Sequence, residues 1–211
     1  MARNPIAIDD QPISAGFFGE GSWLTSFITP DSFDVKTLYD EVTGGITDTK
    51  DKMIACWQWV ASKVKYVKFV KGRIWINGRS SVQNDLWQTP ALVINTRIGN
   101  CANKSFLLCS LLRNLLPADE VYCTLGNLHN GKPGGHAWVE LNLPEGEYIM
   151  ESTMPTAPPL VPVNAADRYE AVHYFNDEVI LAIPDKTQMI PFTACYSDWL
   201  SSYLNWAYIQ R

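Results

Sequence analysis

Apolar positions at three- and four-residue steps mark the first clear element of this chain. Met53, Cys56, Trp57, Val60 and Val64 recur in that rhythm, behind Thr47, Asp48 and Thr49, any of which can cap a helix. A shorter helix is predicted over 34–43, ended by Gly44-Gly45. Stretches 66–70 and 73–76 read as short strands, with turns at Gly72 and Asn77-Gly78. Pro90 and Gly99 bracket a segment that leads into 101–116, a helix of about 15 residues. After its first turn that helix is apolar on nearly every face, which predicts burial.

Further along, 120–124, 136–143 and 147–153 read as strands, with a glycine-rich loop over 126–135 between the first two. In the second, His136, Trp138, Glu140 and Asn142 share one face, and Ala137, Val139, Leu141 and Leu143 the other. Four prolines over 155–162 exclude regular structure there. A docked helix is expected over 198–209, carrying Trp199, Tyr203 and Trp206. Residues 1–33 read as irregular wrapping fixed by Phe17, Phe18, Trp23 and Phe27. Helices first and antiparallel strands later predict an α+β fold. No repeat or linker divides the chain, so one domain over 1–211 is expected. Its core would be about 47–155, with a wrapping segment 1–46 and a C-terminal extension 156–211.

Composition narrows the function. With 46% apolar and 18% charged residues, the chain of 211 is not disordered. Its net charge of −5 and the lack of a basic run give no electrostatic support for nucleic acid. No stretch approaches the ~20 apolar residues that span a bilayer, so no membrane partner is expected. The opening residues run into Asp9, Asp10 and Pro12 where a signal peptide needs an apolar segment. Five cysteines without framework spacing suit a reducing interior, and the expectation is a cytoplasmic protein.

The chemistry centres on Cys101. Thiolate is the reactive form of cysteine, and a helix N-terminus stabilises it through free N–H groups and the macrodipole. Cys101 alone of the five holds such a position. Cys109 lies eight residues on, ~12 Å along the helix, beyond disulfide reach. Cys56 and Cys109 sit among apolar neighbours and read as core. The partner base is expected to be His136, at the start of an alternating strand, rather than His129 or His173. An acceptor must orient the imidazole. Pairing Leu141 with Gly146 in a hairpin puts His136 opposite Glu151, there to hold Nδ1. A slip by two leaves them diagonal neighbours, a slip by one parts them, and the sequence does not choose. The intervals among Cys101, Cys109, Cys123 and His136 match no zinc motif, so no metal is expected.

The run Trp87-Gln88-Thr89-Pro90, then Gly99-Asn100-Cys101 and Leu111-Leu112-Arg113, then His136-Ala137-Trp138-Val139-Glu140 and Glu151-Ser152-Thr153, resembles the transglutaminase-like superfamily. The upstream helix with Trp57 and Val60, and Tyr66 after it, fits the same likeness, which covers about 50–155. The resemblance implies a papain-like α+β core, with a cysteine opening a helix and a histidine and acid on adjacent strands. It implies Cys101 as nucleophile, His136 as general base and acid, and Glu151 as orienting carboxylate. Trp87 or Gln88 would help bind the oxyanion, and Asn100 and Trp138 would line the substrate cleft. Two departures stand out: the family more often has Asp where Glu151 stands, and acidic residues near the cysteine where this chain has Asn100 and Asn103.

The expected function is acyl transfer at peptide or side-chain amide bonds through a thioester, favouring hydrolysis over transamidation, with a peptide or protein as substrate. No cofactor is expected, and without an acidic calcium loop no calcium requirement. Two rival readings are a non-catalytic peptide-binding module and an assembly-associated structural protein.

Overall fold

The structure, a computed structural model, describes residues 6–8, 12–13, 22–68, 70–76, 79–83, 86–129 and 134–183. The expectations for Phe17, Phe18, the Asn77-Gly78 turn and a helix over 198–209 lie outside them.

Among the described residues four α-helices pack together. In α1 (Phe33–Thr43), the Ser32 side chain caps the start by accepting from the Val35 N–H, and Gly44 ends it. Gly45 follows at φ 79°, a left-handed turn that favours glycine. Asp48 caps α2 (Thr49–Lys63), accepting from the Asp51 N–H at 2.9 Å. Its buried residues are Met53, Cys56, Trp57, Val60 and Ala61, and Val64 is buried at the C-cap, so all five positions of the stripe read from the sequence are buried. Pro90 opens α3 (Pro90–Thr96), where its missing N–H costs nothing, and Arg97 at φ 56° ends it. α4 (Cys101–Leu112) has all twelve residues buried. It is shorter than expected: beyond Leu112 the N–H groups of Asn114 and Leu115 turn to carbonyls three residues back. There the Arg113 guanidinium reaches forward to the Leu116 carbonyl and to Asp177.

With them stands a seven-stranded antiparallel sheet. Its strands in chain order are β1 (Ile6–Ile8), β2 (Val121–Leu128), β3 (Gly134–Leu143), β4 (Gly146–Met150), β5 (Val161–Pro162), β6 (Tyr169–Phe175) and β7 (Ile180–Ala182). Across the sheet they run β1-β7-β6-β2-β3-β4-β5. The sheet thus draws on chain well outside 47–155, and β6 and β7, which no sequence pattern announced, stand between β1 and β2. α4 lies between the other helices and strands β2 and β3. Leu107, Leu108 and Leu111 join Ala137, Val139 and Leu141 in one core, each buried leucine contributing about 1.5–3 kcal/mol. Phe27 belongs to it too, 5.6 Å from the ring of Trp87 and 5.0 Å from that of Phe106. Trp138 belongs to a second cluster with Ile149, Ala166, Ala171 and Tyr174, so the two-faced reading of β3 holds.

Further details differ from the sequence reading. The short strand β5 forms at Val161–Pro162, within the proline-rich 155–162 expected to hold no regular structure, by pairing with Tyr148 and Ile149. Leu143 pairs with Gly146, and Met150 with Val139, so the hairpin register is two residues from the one expected. The loop between β3 and β4 is only Pro144-Glu145, closed by Gly146 at φ 141°. A two-residue slip preserves which side chains face the core, and so preserves the burial pattern that selects a register. The glycine-rich stretch 126–135 is also no single loop, because β2 continues to Leu128 and β3 begins at Gly134. Gly126 serves close packing: a Cβ there would stand 2.1 Å from the Glu170 carbonyl oxygen and 2.6 Å from the Trp138 ring.

Candidate active site

Asn100 sets the start of α4, its Oδ1 accepting from the Asn103 N–H at 3.0 Å, and Cys101 is the first helical residue. The Cys101 side of the helix therefore carries its positive dipole end. Asn103 pins the preceding segment: its Oδ1 accepts from the Gln88 N–H at 2.8 Å and its Nδ2 donates to the Leu86 carbonyl at 3.2 Å. An aspartate could not make the second bond, which gives a structural reason for an amide where the family often carries acid.

His136 lies on β3, the strand against which α4 packs. Glu151 follows the last residue of β4. The predicted strand 147–153 stops at Met150, and Glu151 leaves the ladder with its side chain directed back to His136. His136 Nε2 and Glu151 Oε2 are 2.7 Å apart, both residues buried. The diagonal relation left by the two-residue slip makes this contact, and the longer glutamate spans it. The nitrogen differs from the expected Nδ1. Trp138 stacks on the imidazole at 6.0 Å between ring centroids and donates its indole N–H to Glu140 at 2.8 Å.

Glu151 takes three further hydrogen bonds. Oε1 accepts from the Thr153 N–H at 2.8 Å and its hydroxyl at 2.6 Å, and Oε2 accepts from the Tyr169 hydroxyl at 3.0 Å. Burial alone pushes this carboxyl up. The His136 charge and the donors of His136 and Thr153 outweigh it, and the pKa lies below the ordinary glutamate value. The buried group therefore stays a carboxylate. Its own carbonyl accepts from the Trp57 indole at 2.8 Å, tying the acid to α2. Lys104, 1% exposed, donates to the Ala61 and Val64 carbonyls at the end of α2, at 3.2 and 2.8 Å. Burial lowers its pKa to about 8, against an upward pull from Glu151.

The other predicted site residues are placed as follows. Gln88 is buried, its Nε2 donating to the Ile98 carbonyl at 2.9 Å. Trp87 packs edge-on against Phe106 at 5.1 Å, with its ring in the core. Asn100 and Trp138, expected to line a cleft, are both fully buried, one as a helix cap and the other behind the imidazole. Cys56, Cys109 and Cys123 are buried as well, and burial pushes the Cys56 thiol up to about 12 and raises the other two. Sequence reasoning missed Tyr169, Thr153, Trp57 and Lys104. No local pattern singles out Tyr169, since only the pairing of β6 with β2 brings it beside His136. Among the described residues no cluster of three or more His, Cys, Asp or Glu side chains could hold a metal ion. No helix among them is long and apolar enough to cross a membrane.

A helix opened by cysteine, packed on a sheet that carries a histidine–carboxylate pair, is a papain-like α+β core. The profile of the transglutaminase-like superfamily matches residues 36–150, and the chain belongs to that superfamily. Membership supports a cysteine enzyme as the kind of protein this is. The match runs from within α1 to the end of β4 and stops one residue before Glu151. Among solved structures, LapG of Legionella pneumophila is similar in fold. Its EGTA-treated form has 16% identity and a TM-score of 0.51, covering 81% of this chain and 86% of LapG. Its calcium-bound form has 17% identity and a TM-score of 0.50, with 81% and 84% covered. No sequence among curated proteins matches the chain.

Proposed function

We propose that the protein is a cysteine-dependent acyl-transfer enzyme that hydrolyses peptide or side-chain amide bonds, with Cys101, His136 and Glu151 as its triad. The observation that carries this reading is the buried 2.7 Å contact between His136 and Glu151, on the strand layer against which the Cys101 helix packs. A fully hydrogen-bonded carboxylate on Nε2 fixes the imidazole and stabilises its protonated form. Nδ1 then takes the thiol proton, and Cys101 Sγ attacks the carbonyl carbon. N–H groups at the start of α4 stabilise the oxyanion, with a Gln88 amide N–H as a second donor candidate. The imidazolium gives its proton to the leaving amine nitrogen as the C–N bond breaks, and the thioester remains. A water, deprotonated by His136, attacks that thioester and releases a carboxylate with the free thiol.

Iodoacetamide labelling across pH 5–9, mapped at each cysteine by mass spectrometry, tests the reading. Cys101 should react fast at pH 6 while Cys56, Cys109 and Cys123 stay silent, and His136→Ala should abolish that early reactivity. A Cys101 that reacts only above pH 8, with or without His136, overturns the reading in favour of a non-catalytic module.

A further inference from the structure

Glu151 has one more rotatable bond than an aspartate in the same role, so its carboxylate must be held by more than the histidine it serves. Thr153 holds Oε1 through two donors, both from the residue two positions on. On Oε2, the oxygen that meets His136, the other donor is the Tyr169 hydroxyl at 3.0 Å. The Tyr169 ring lies 6.2 Å from the imidazole and 5.2 Å, edge-on, from Trp138. Tyr169 opens β6, eighteen residues beyond Glu151, and lies outside the stretch that the superfamily profile matches.

We infer that Tyr169 is a positioning residue of the reaction: its hydroxyl fixes Glu151 Oε2 on His136 Nε2. The inference rests on the triad reading above. A hydrogen bond donated to a carboxylate favours its charged form, so loss of the donor makes Glu151 protonate at higher pH. Burial and the Glu151 charge both raise the phenol's pKa, so Tyr169 stays a donor across the working range. The other charges around the group are His136 on β3, Lys104 on α4 and Arg168 beside Tyr169 itself. None of these takes the place of the second donor on Oε2.

Tyr169→Phe tests this, since it keeps the ring and its packing and removes only the hydroxyl. Two measurements on the full chain apply: the pH profile of Cys101 alkylation, and the titration of the Glu151 side-chain carboxyl carbon by NMR. The acid limb of the first and the midpoint of the second should both move up by about 0.5–1 pH unit, with the melting temperature nearly unchanged. A structural role alone would lower the melting temperature and move neither. If His136→Ala slows Cys101 but Tyr169→Phe leaves limb and midpoint in place, the Tyr169 inference falls and the triad stands. If His136→Ala has no effect on Cys101, the triad reading falls. The Glu151 midpoint then decides by itself whether Tyr169 holds the carboxylate.

Discussion

Replacing Glu151 by glutamine changes one oxygen to an amino group and nothing in volume, yet its surroundings dictate the outcome. Oε1 faces the Thr153 backbone N–H at 2.8 Å, a donor that cannot reverse. The amide oxygen must therefore take that side, and the NH₂ group turns to His136 and Tyr169. Facing a donor, His136 Nε2 becomes an acceptor, and the ring proton moves to Nδ1, the atom meant to accept the thiol proton. An acid-to-amide change of this kind in a serine triad costs about 10⁴ in rate, or about 5.5 kcal/mol at 1.36 kcal/mol per tenfold. Reactivity toward a small alkylating agent depends mainly on the thiolate fraction. A thiol returned to a pKa near 8.5 is ~0.3% ionised at pH 6. Against a parent Cys101 that is mostly thiolate at pH 6, Glu151→Gln should therefore slow its alkylation there by about 300-fold. The two rates should converge above pH 9. Circular dichroism would check that the fold survives. A Glu151→Gln rate within threefold of the parent at pH 6 refutes the tautomer argument and the orienting role of the acid.

Three further predictions concern stability. His173 is buried on β6, its Nδ1 has no hydrogen-bond partner, and burial lowers its pKa to about 4. The unfolded chain binds its proton first, so stability should drop as pH falls from 6.5 to 4, by up to about 3 kcal/mol. Urea unfolding of His173→Leu should show that slope flattened. Lys104, with its pKa lowered to about 8, has the corresponding window on the alkaline side. The unfolded chain keeps its proton up to about 10.5, so this residue's share of stability rises between pH 8 and 10.5. Relative to Lys104→Met, the parent should gain up to about 3 kcal/mol over that range; parallel curves would show that the ammonium is not desolvated. Finally, Gly126→Ala forces a methyl group to 2.1 Å from the Glu170 carbonyl oxygen. It should cost about 3 kcal/mol or more in chemical unfolding, and a loss below 1 kcal/mol would mean that β2 and β6 part easily.

α2 was legible because it has a cap and a periodic stripe, Asp48 at its start and Met53 through Val64 at helical steps, and α1 because Gly44-Gly45 ends it; α3, whose start has no side-chain cap, was not read as a helix. Cys101 and His136 were legible for a related reason, since a helix start and an alternating strand are local patterns. Glu151 was reachable only through a register, and the turn at Pro144-Glu145 set that register two residues away from the expected pairing. Gly126 misled because glycine serves turns and close packing alike, and only the carbonyl of Glu170 tells them apart. Tyr169 was invisible: β6 follows a proline-rich stretch and pairs with a strand more than forty residues earlier. Contacts of that range leave no period in the sequence to read.

Strand order and chain order disagree at β2, and this bears on how the molecule assembles. A chain emerging from the ribosome can build α4, β2, β3 and β4 from neighbouring segments, each hairpin closing as it appears. The outer edge of β2 then waits, with its N–H and C=O groups unpaired, for residues 169–175. During that wait the half-built sheet offers an open edge to other chains, a hazard for any nascent sheet of this kind. Tyr169 travels on the strand that closes the edge. Tyr169, the inferred support of the acid, is thus placed only when that edge is paired, so the site is complete only in the finished sheet.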